Sequence, residues 1–202
     1  DGTPQEYSFD GPVGDLVEAE GDWIAGTWRQ ALVRVDGEGV LTRISPAPPG
    51  GVYRLAVDSS GGRLAVASLN GVLSIYSKSG RVAEMESQGR TPMLSFCGRR
   101  ILVLAGNRLN TFEMDGRRVV SEKPQGVGRR WLARWPSEKR CLLADETGGA
   151  WLLEESGTIL PYANFGPLRA LRAAPAAAGR ILVAREGGWA YWREGSIRHD
   201  WP

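Results

Sequence analysis

The 202-residue chain has little of what metal and catalytic sites usually need, with one histidine, two cysteines and three lysines. A tetrahedral zinc site needs four ligands, mostly Cys or His, and a disulfide framework needs more cysteines than Cys97 and Cys141. His199 stands beside Asp200 but near no recognisable nucleophile, which argues against Ser-His-Asp chemistry. No apolar run reaches the roughly 20 residues of a membrane-spanning helix. We therefore predict no catalytic residue, no metal, no cofactor and no membrane partner.

Acidic and basic residues are unevenly distributed along the chain, whose net charge is +2. Residues 1–48 hold nine acids and three bases, and residues 49–202 hold fourteen acids and twenty-two bases. We interpret the acidic first part as neutralising a basic neighbour within the same fold. Because a balance this close to zero is not typical of a dedicated nucleic-acid-binding protein, nucleic acid is not the favoured partner.

A repeat of about 40 residues runs through the whole chain. Apolar runs begin at residues 24, 64, 101, 141 and 181, which are spaced by 40, 37, 40 and 40 residues. Each run is followed by a short polar or glycine turn, a second apolar run, a glycine-bearing turn and a more polar strand. A further apolar strand precedes each unit. Short runs rich in Val, Ile, Leu, Tyr and Trp between such turns predict β-hairpins, and no amphipathic helix is indicated.

Four strands in about 40 residues is the period of a β-propeller blade. We predict an all-β chain forming a single propeller domain of about five four-stranded blades, at residues 13–45, 52–86, 91–122, 129–163 and 167–202. The second strand of each blade is apolar throughout because neighbouring blades stack on both of its faces. Residues 1–12 form an N-terminal extension, in which residues 6–9 pair with the last blade and clasp the ring. The alternative is a larger ring completed by blades outside this chain.

The clearest unit spans residues 57–76 and reads Val-Asp-Ser-Ser-Gly-Gly-Arg-Leu-Ala-Val-Ala-Ser-Leu-Asn-Gly-Val-Leu-Ser-Ile-Tyr. Its Asp-x-x-Gly turn, apolar strand, Asn-Gly pair and strand ending in an aromatic residue resemble a unit of the WD40/YVTN-like β-propeller superfamily. The chain has no Gly-His dipeptide and no Trp-Asp pair. The hydrogen-bond network of true WD40 units therefore does not carry over. The resemblance implies a fold and, by itself, no activity.

The resemblance also implies that partners bind where the loops between second and third strands meet the loops that link blades. We call this surface the loop face; it comprises residues 28–30, 45–51, 69–70, 88–90, 107–108, 125–130, 146–147, 164–166 and 185–186. Tryptophan and arginine are typical of the hot spots of protein interfaces. The predicted partner-binding residues are Trp28, Arg29, Arg90, Arg108, Arg129, Arg130, Glu146 and Arg185. We predict a non-catalytic protein–protein interaction scaffold, a cytoplasmic subunit of a larger complex, that docks a partner through an acidic or extended segment.

Two alternative functions are kept open. A propeller hydrolase of the glycosidase or lactonase type would use carboxylates in the central funnel, for which Glu146 is the candidate. Several carboxylates converging in a deep axial pocket would favour that function. A nucleic-acid or ligand-binding module would use Arg129, Arg130 and Trp131, where basic and aromatic residues are adjacent. A continuous basic groove, and binding that weakens steeply with salt, would favour this second alternative.

Overall fold

The computed structural model describes residues 6–29, 31–58, 61–87, 89, 92–105, 108–122, 130–134, 140–156, 158–173, 181–185, 188–193 and 196–201. For residues 120–122, 130–134, 170–173, 181–183, 185, 188–193 and 196–201 it describes the backbone alone. All regular secondary structure in these ranges is β-strand. The all-β prediction is therefore confirmed.

The described strands form five antiparallel sheets of four strands, and in each sheet the strands lie side by side in chain order. Sheet 1 contains β1 (Val13–Ala19), β2 (Asp22–Thr27), β3 (Leu32–Val35) and β4 (Leu41–Arg43). Sheet 2 contains β5 (Val52–Val57), β6 (Arg63–Ser68), β7 (Val72–Ser77) and β8 (Gly80–Glu86). Sheet 3 contains β9 (Met93–Cys97), β10 (Arg100–Ala105), β11 (Arg108–Glu113) and β12 (Arg118–Glu122).

Sheets 4 and 5 repeat this arrangement. Sheet 4 contains β13 (Arg130–Arg134), β14 (Arg140–Asp145), β15 (Gly149–Glu154) and β16 (Ile159–Asn164). Sheet 5 contains β17 (Ala170–Ala173), β18 (Ile181–Arg185), β19 (Gly188–Arg193) and β20 (Ser196–Trp201). Strands that neighbour each other in a sheet are consecutive in the chain, as expected of meander sheets, so the pairings within a sheet are local in sequence.

Aspartates shape several of the turns between strands. The Asp36 side chain accepts hydrogen bonds from the backbone N–H groups of Glu38 (3.0 Å) and Val40 (2.8 Å). Asp115 accepts one from Arg117 at 2.9 Å in the corresponding turn of sheet 3. Such side-chain bonds replace backbone partners that the tight turn removes, which explains why Asp recurs at these positions.

The second strands of the three middle sheets are buried on both faces. In β6, Leu64 and Val66 pack against sheet 1, while Ala65 between them packs against sheet 3. The same alternation recurs in β10 and β14, whose successive residues belong to different core clusters. Successive side chains of a strand point to opposite faces. A continuous apolar second strand therefore requires a neighbouring sheet on each side, as the sequence pattern predicted.

The fourth strand is an edge strand in every sheet, and its described side chains are solvated. All three residues of β4 are exposed, and the residues of β8 and β16 are either exposed or half-buried. Val82 and Leu160, in β8 and β16, are among the exposed large apolar side chains. The polar composition of these strands in the sequence follows from this position.

In sheet 1, the residues equivalent to those of the other repeats are shifted by one position from the alignment made on the sequence. Ile24 packs against sheet 2, as Ala65 packs against sheet 3, so these two residues are equivalent. The equivalent of Leu64 is therefore Trp23, which lies 41 positions earlier rather than the 40 assigned from the sequence. The alternation of apolar residues in this strand is too uniform to reveal such a shift, because both of its faces carry apolar residues.

The first strands of successive sheets lie next to one another, in the order β1, β5, β9, β13 and β17. Within the described ranges, no comparable contact joins β17 to β1. Residues 6–9, predicted as a clasp strand, are irregular in this structure. The carbonyl of Phe9 accepts a hydrogen bond from the Gly11 N–H at 2.7 Å, which turns the chain just ahead of Pro12. Residues 6–9 belong to none of the described sheets, and the clasp stays a prediction.

Candidate partner-binding face

A row of close backbone contacts builds the loop face across sheets 1 to 3. A Cβ atom placed on Gly51 would lie 2.1 Å from the Trp28 carbonyl oxygen, and one on Gly50 would lie 2.8 Å from the Asn70 side chain. Further along, a Cβ atom on Gly89 would lie 3.0 Å from Ala105. Because the loops approach this closely, glycine is needed where they meet. The loops between second and third strands therefore touch the segments that link sheets, as predicted for this face.

Trp28 follows β2 and is held by the backbone on two sides. Its N–H donates a hydrogen bond to the Pro12 carbonyl at 2.9 Å. Its indole lies over Gly14, where a Cβ atom would come within 2.9 Å of ring atoms Cδ1 and Nε1. More than half of the side chain, 53%, is still exposed. The glycine beneath the ring thus fixes the position of a large aromatic surface without covering it.

Arg29 lies beside Trp28 on the same face. The aliphatic part of its side chain lies over Gly11, where a Cβ atom would be 2.9 Å from both Cγ and Cδ. Gly11 has a φ of +116°, a conformation that other residues rarely adopt. Arg29 makes no ion pair with any residue that the structure describes. The result is an exposed guanidinium group next to an exposed indole.

One turn recurs on the loop face of sheets 2 and 4. In sheet 2, the Gly71 N–H donates to the Ser68 carbonyl at 3.0 Å, and the Gly71 carbonyl accepts from the Ser87 N–H at 2.8 Å. In sheet 4, Gly148 makes the corresponding bonds with Asp145 (3.1 Å) and Phe165 (2.8 Å). Each turn thereby joins the second strand to the segment that leaves the fourth strand.

Asp145 stabilises the sheet 4 turn through its side chain. This buried carboxylate accepts three hydrogen bonds at Oδ1, from the Thr147 N–H (3.0 Å), the Thr147 hydroxyl (2.7 Å) and the Gly149 N–H (3.0 Å). Glu146 beside it is exposed, and its carbonyl accepts a hydrogen bond from the Leu168 N–H at 3.0 Å. The arrangement stabilises the turn and leaves the Glu146 side chain at the surface.

The other predicted site residues are placed as follows. Arg108 is exposed and opens β11, where it pairs with Ala105 on the loop face. The backbone of Arg130 pairs with Asp145, and that of Arg185 pairs with Gly188, which puts both residues at the loop-face ends of their strands. Arg90 and Arg129 lie outside the described residues. The structure thus brings Trp28 and Arg29 together, and the remaining described residues follow at the same end of later sheets.

Charges at the opposite end of the sheets are arranged differently. We call this the far end; there the first strand turns into the second, and the third into the fourth, and its described residues are 20–21, 36–39, 58, 61–62, 77–79, 98–99, 114–117 and 155–156. Ion pairs join Lys78 to Glu20 (2.9 Å) and Arg100 to Glu113 (3.2 Å) in this region. The far end therefore contains two ion pairs, whereas Arg29 makes none with the described residues.

A small cleft also opens at the far end, between sheets 1 and 2. It has a volume of about 110 Å³ and an apolar wall that includes Ile24, Leu64 and Tyr76. Arg63 and Lys78 contribute to its rim. It lies at the opposite end of the sheets from the loop face, and it was not predicted from the sequence.

The sequence analysis missed the glycines that shape the loop face. Gly11 lies just ahead of β1 and Gly14 lies within it; they support Arg29 and Trp28, although neither was assigned a role. The available signal was the glycine content, 27 residues, with pairs such as Gly50-Gly51 at the links between sheets. A glycine in such a link is informative because another chain segment can approach it closely.

Comparisons with known proteins identify no relative. No protein-family model matches the chain, and a search of curated proteins finds no match. Among the described residues, no helix is long and apolar enough to cross a membrane. In that same part of the chain, no cluster of three or more His, Cys, Asp or Glu side chains is placed to hold a metal ion.

Proposed function

We propose that this chain is a non-catalytic interaction module of the β-propeller type, which binds a protein partner on its loop face. The observation that carries the proposal is the position of a half-exposed Trp28 beside an exposed Arg29, which makes no ion pair with any described residue, on a glycine-backed support. Tryptophan and arginine dominate the binding energy of many interfaces because they combine large apolar area with hydrogen-bonding groups. A support that is already ordered reduces the entropy lost on binding.

The propeller architecture is supported by the second face of sheet 1. Ala25, Val33 and Val35 are turned away from sheet 2, yet each has less than a tenth of its surface exposed. Leu16 and Trp23 on the same face remain about half exposed. The equivalent faces of sheets 2, 3 and 4 pack against the preceding sheet. By analogy, this face of sheet 1 is where a fifth blade, or a blade of a larger ring, would pack.

The chemistry of the partner follows from the two exposed groups. A guanidinium group binds a carboxylate through two parallel hydrogen bonds, so an Asp or Glu of the partner suits Arg29. An indole face suits an aliphatic or aromatic side chain two residues away along an extended segment, where side chains on one face are spaced by about 7 Å. We therefore propose an extended partner segment in which an acidic residue and an apolar residue are two positions apart.

The hydrolase alternative receives less support from the geometry. A glycosidase needs two carboxyl groups facing each other across the substrate. Asp145 accepts three hydrogen bonds within its own turn, and Glu146 lies exposed beside it. Neither arrangement presents a pair of carboxylates to a shared site. The cytoplasmic location and the role as a complex subunit stay predictions.

The proposal is tested by selecting binding peptides from a random library with the immobilised protein and measuring their affinities for variants. We expect enriched peptides to carry an acidic residue two positions from an apolar one. Trp28→Ala and Arg29→Glu should each weaken binding by about 10- to 30-fold, because an interface hot spot contributes roughly 2 kcal/mol. Binding should also weaken with added salt.

Matched controls separate the loop face from general surface effects. Trp23→Ala removes a tryptophan of similar exposure from another face of sheet 1, and Arg117→Glu reverses an exposed charge at the far end. Both should leave affinities within about twofold of the unchanged protein. Peptides that bind all four variants equally, or a selection without enrichment from folded protein, would show that the loop face is not the binding surface.

A further inference from the structure

The two cysteines of the chain meet at the junction of sheets 3 and 4. Cys97 ends β9, and Cys141 lies 44 positions later as the second residue of β14. Both side chains are fully buried and belong to one apolar cluster, which also contains Leu143 and Leu153. From the sequence, two cysteines were too few to predict a disulfide framework. Because the two cysteines lie in strands of different sheets, a contact between them joins sheet 3 to sheet 4.

Each thiol reaches the backbone beside the other cysteine. The Cys141 thiol donates a hydrogen bond to the carbonyl of Phe96, the residue before Cys97, at 3.1 Å. The Cys97 thiol donates to the carbonyl of Leu153 at 3.5 Å, and Leu153 is the cross-strand partner of Cys141. Neighbouring residues in two antiparallel strands have Cα atoms about 5 Å apart. These reciprocal contacts place the two sulfurs side by side.

The environment of the pair also favours a reactive thiolate. Hydrogen bonding with the adjacent Cys141 side chain lowers the pKa of Cys97, against the opposing effect of its burial. Ser95 lies with its hydroxyl 3.2 Å from the Cys141 sulfur. The nucleophile of thiol–disulfide exchange is the thiolate, so Cys97 is the better placed of the two to begin the reaction.

We propose that Cys97 and Cys141 form a redox-active dithiol that is oxidised to a disulfide joining sheets 3 and 4. A disulfide requires Cβ atoms about 3.5–4.5 Å apart, which side-by-side sulfurs at a packed junction permit. The bond would close the segment from residue 97 to residue 141 and fix the two sheets to each other. It is independent of the proposed binding function, since neither cysteine lies on the loop face.

The oxidant is a low-molecular-weight disulfide such as oxidised glutathione. The Cys97 thiolate, having released its proton to solvent, attacks one sulfur of oxidised glutathione; the glutathione S–S bond breaks and one glutathione thiolate leaves with the electron pair. Cys141 then loses its proton, attacks the Cys97 sulfur and displaces the second glutathione. The protein loses two protons and two electrons, and one oxidised glutathione becomes two reduced molecules after protonation.

Burial controls when the reaction takes place. Both thiols have no exposed surface in the packed junction. Exchange with a dissolved disulfide therefore requires the junction to open, or takes place before sheets 3 and 4 have packed during folding. Once formed, the buried disulfide is shielded from reductants by the same packing. We therefore expect slow exchange in native conditions and rapid exchange during refolding.

The test is to refold the full chain in glutathione buffers ranging from reducing to oxidising, and to map the disulfides by mass spectrometry after blocking free thiols. We expect both thiols to disappear together and a peptide linking Cys97 to Cys141 to appear. The thermal midpoint of the oxidised protein should exceed that of the reduced protein by about 5–15 °C, because the loop restricts the unfolded chain.

Single variants provide the control. Cys97→Ala and Cys141→Ala each remove one partner, and the thermal midpoint of either should not rise in the oxidising buffer. Two outcomes for the unchanged protein would overturn the proposal. One is a folded protein that keeps both thiols free in the oxidising buffer; the other is oxidation that yields only glutathione adducts or disulfides between chains.

Discussion

The junction between sheets 1 and 2 and the junction between sheets 3 and 4 occupy the same place in the repeat but are built from different chemistry. Leu64 of β6 faces sheet 1, and Cys141, its equivalent in β14, faces sheet 3. Two positions later, Val66 and Leu143 are both fully buried. The repeat thus specifies buried volume on alternate residues of the second strand. It leaves the identity of the buried group free to vary.

The polar contacts at the far end of the two junctions differ more than the buried residues in their cores. Lys78 and Glu20 join sheets 1 and 2 at the far end through an ion pair whose lysine is 70% exposed. At the junction of sheets 3 and 4, the side chain of Arg100 is 23% exposed and binds both Glu113 and the carbonyl of Glu155. The Glu155 carboxylate in turn accepts a hydrogen bond from the Arg99 N–H at 2.9 Å. The first edge is a solvated ion pair, and the second is a partly buried network.

The first strands of sheets 1 and 2 make one more charged contact at the first junction. The Asp15 carboxylate of β1 accepts a hydrogen bond from the backbone N–H of Leu55, in β5, at 2.9 Å. As the first strand of sheet 2, β5 pairs with β6 on one side and is an edge strand on the other. An edge strand presents unpaired N–H groups, and a carboxylate from the neighbouring sheet satisfies one of them. Neighbouring sheets are thus linked by polar as well as apolar contacts.

The largest effect that separates the two junctions is expected in their cores. Leu143→Ala should lower the free energy of unfolding by about 3 kcal/mol, within the 2–5 kcal/mol that buried Leu→Ala changes cost. Val66→Ala, at the equivalent position of the first junction, should cost about two-thirds as much, because it removes two buried carbons rather than three. Urea unfolding followed by circular dichroism measures both.

A matched surface variant, Leu160→Ala, controls for the loss of apolar residues as such, because Leu160 is exposed on β16. It should change the free energy of unfolding by less than about 0.5 kcal/mol. If Leu143→Ala also cost less than about 1 kcal/mol, sheets 3 and 4 would not be packed together as described.

An intermediate effect is expected at the edges. Arg100→Met should lower the free energy of unfolding by about 1–2 kcal/mol, because it leaves the partly buried Glu113 and the Glu155 carbonyl without their shared donor. Lys78→Met should cost less than about 0.5 kcal/mol, since its ion pair with Glu20 is solvated. Urea unfolding at low and high salt measures both changes, and only the Lys78 pair should be strongly screened. Equal costs for the two variants would contradict the difference drawn between these edges.

The two junctions also show what the sequence could and could not predict. The alternating burial of Leu64 and Ala65 follows from the apolar pattern of the second strand, because strand geometry alone determines which residues share a face. The contact between Cys97 and Cys141 could not be predicted, since it depends on how far sheet 3 is shifted against sheet 4. The same holds for Arg100 and Glu155, which lie 55 positions apart. Relations between sheets depend on packing that no local pattern encodes.

The candidate site also has one part that the sequence could predict and another that it could not. Trp28 and Arg29 could be placed on the loop face from their position between two apolar runs. Their support by Gly14 and Gly11 could not, because a glycine contact is visible only when the approaching segment is known. The one-residue shift that makes Trp23 rather than Ile24 the equivalent of Leu64 has a similar cause. Hydrophobic alternation cannot fix the register of a strand that is apolar on both faces.

The smallest effect concerns alkaline pH, where the two junctions should respond in opposite directions. Burial raises the pKa of Tyr76, at the first junction, above 10.0. Its contribution to stability is complete below pH 10.0 and is lost as the pH rises from there through the raised value. The lowered pKa of Cys97 has the opposite consequence. In the reduced protein, stability should rise with pH from below that pKa up to 9.0, the value for an unperturbed thiol.

Tyr76→Phe isolates the first of these responses. The variant loses the hydrogen bond from the Tyr76 hydroxyl to the Pro46 carbonyl, 2.9 Å long, and should be less stable by about 1 kcal/mol at neutral pH. That difference should shrink as the pH rises above 10.0, because the phenylalanine does not ionise. Unfolding midpoints in urea across this range measure the difference, and Cys97→Ala removes the opposing thiol response. A gap between wild type and Tyr76→Phe that widened with pH would mean that the phenol ionises more easily in the folded protein than in the unfolded chain, which the burial of Tyr76 between sheets 1 and 2 does not allow.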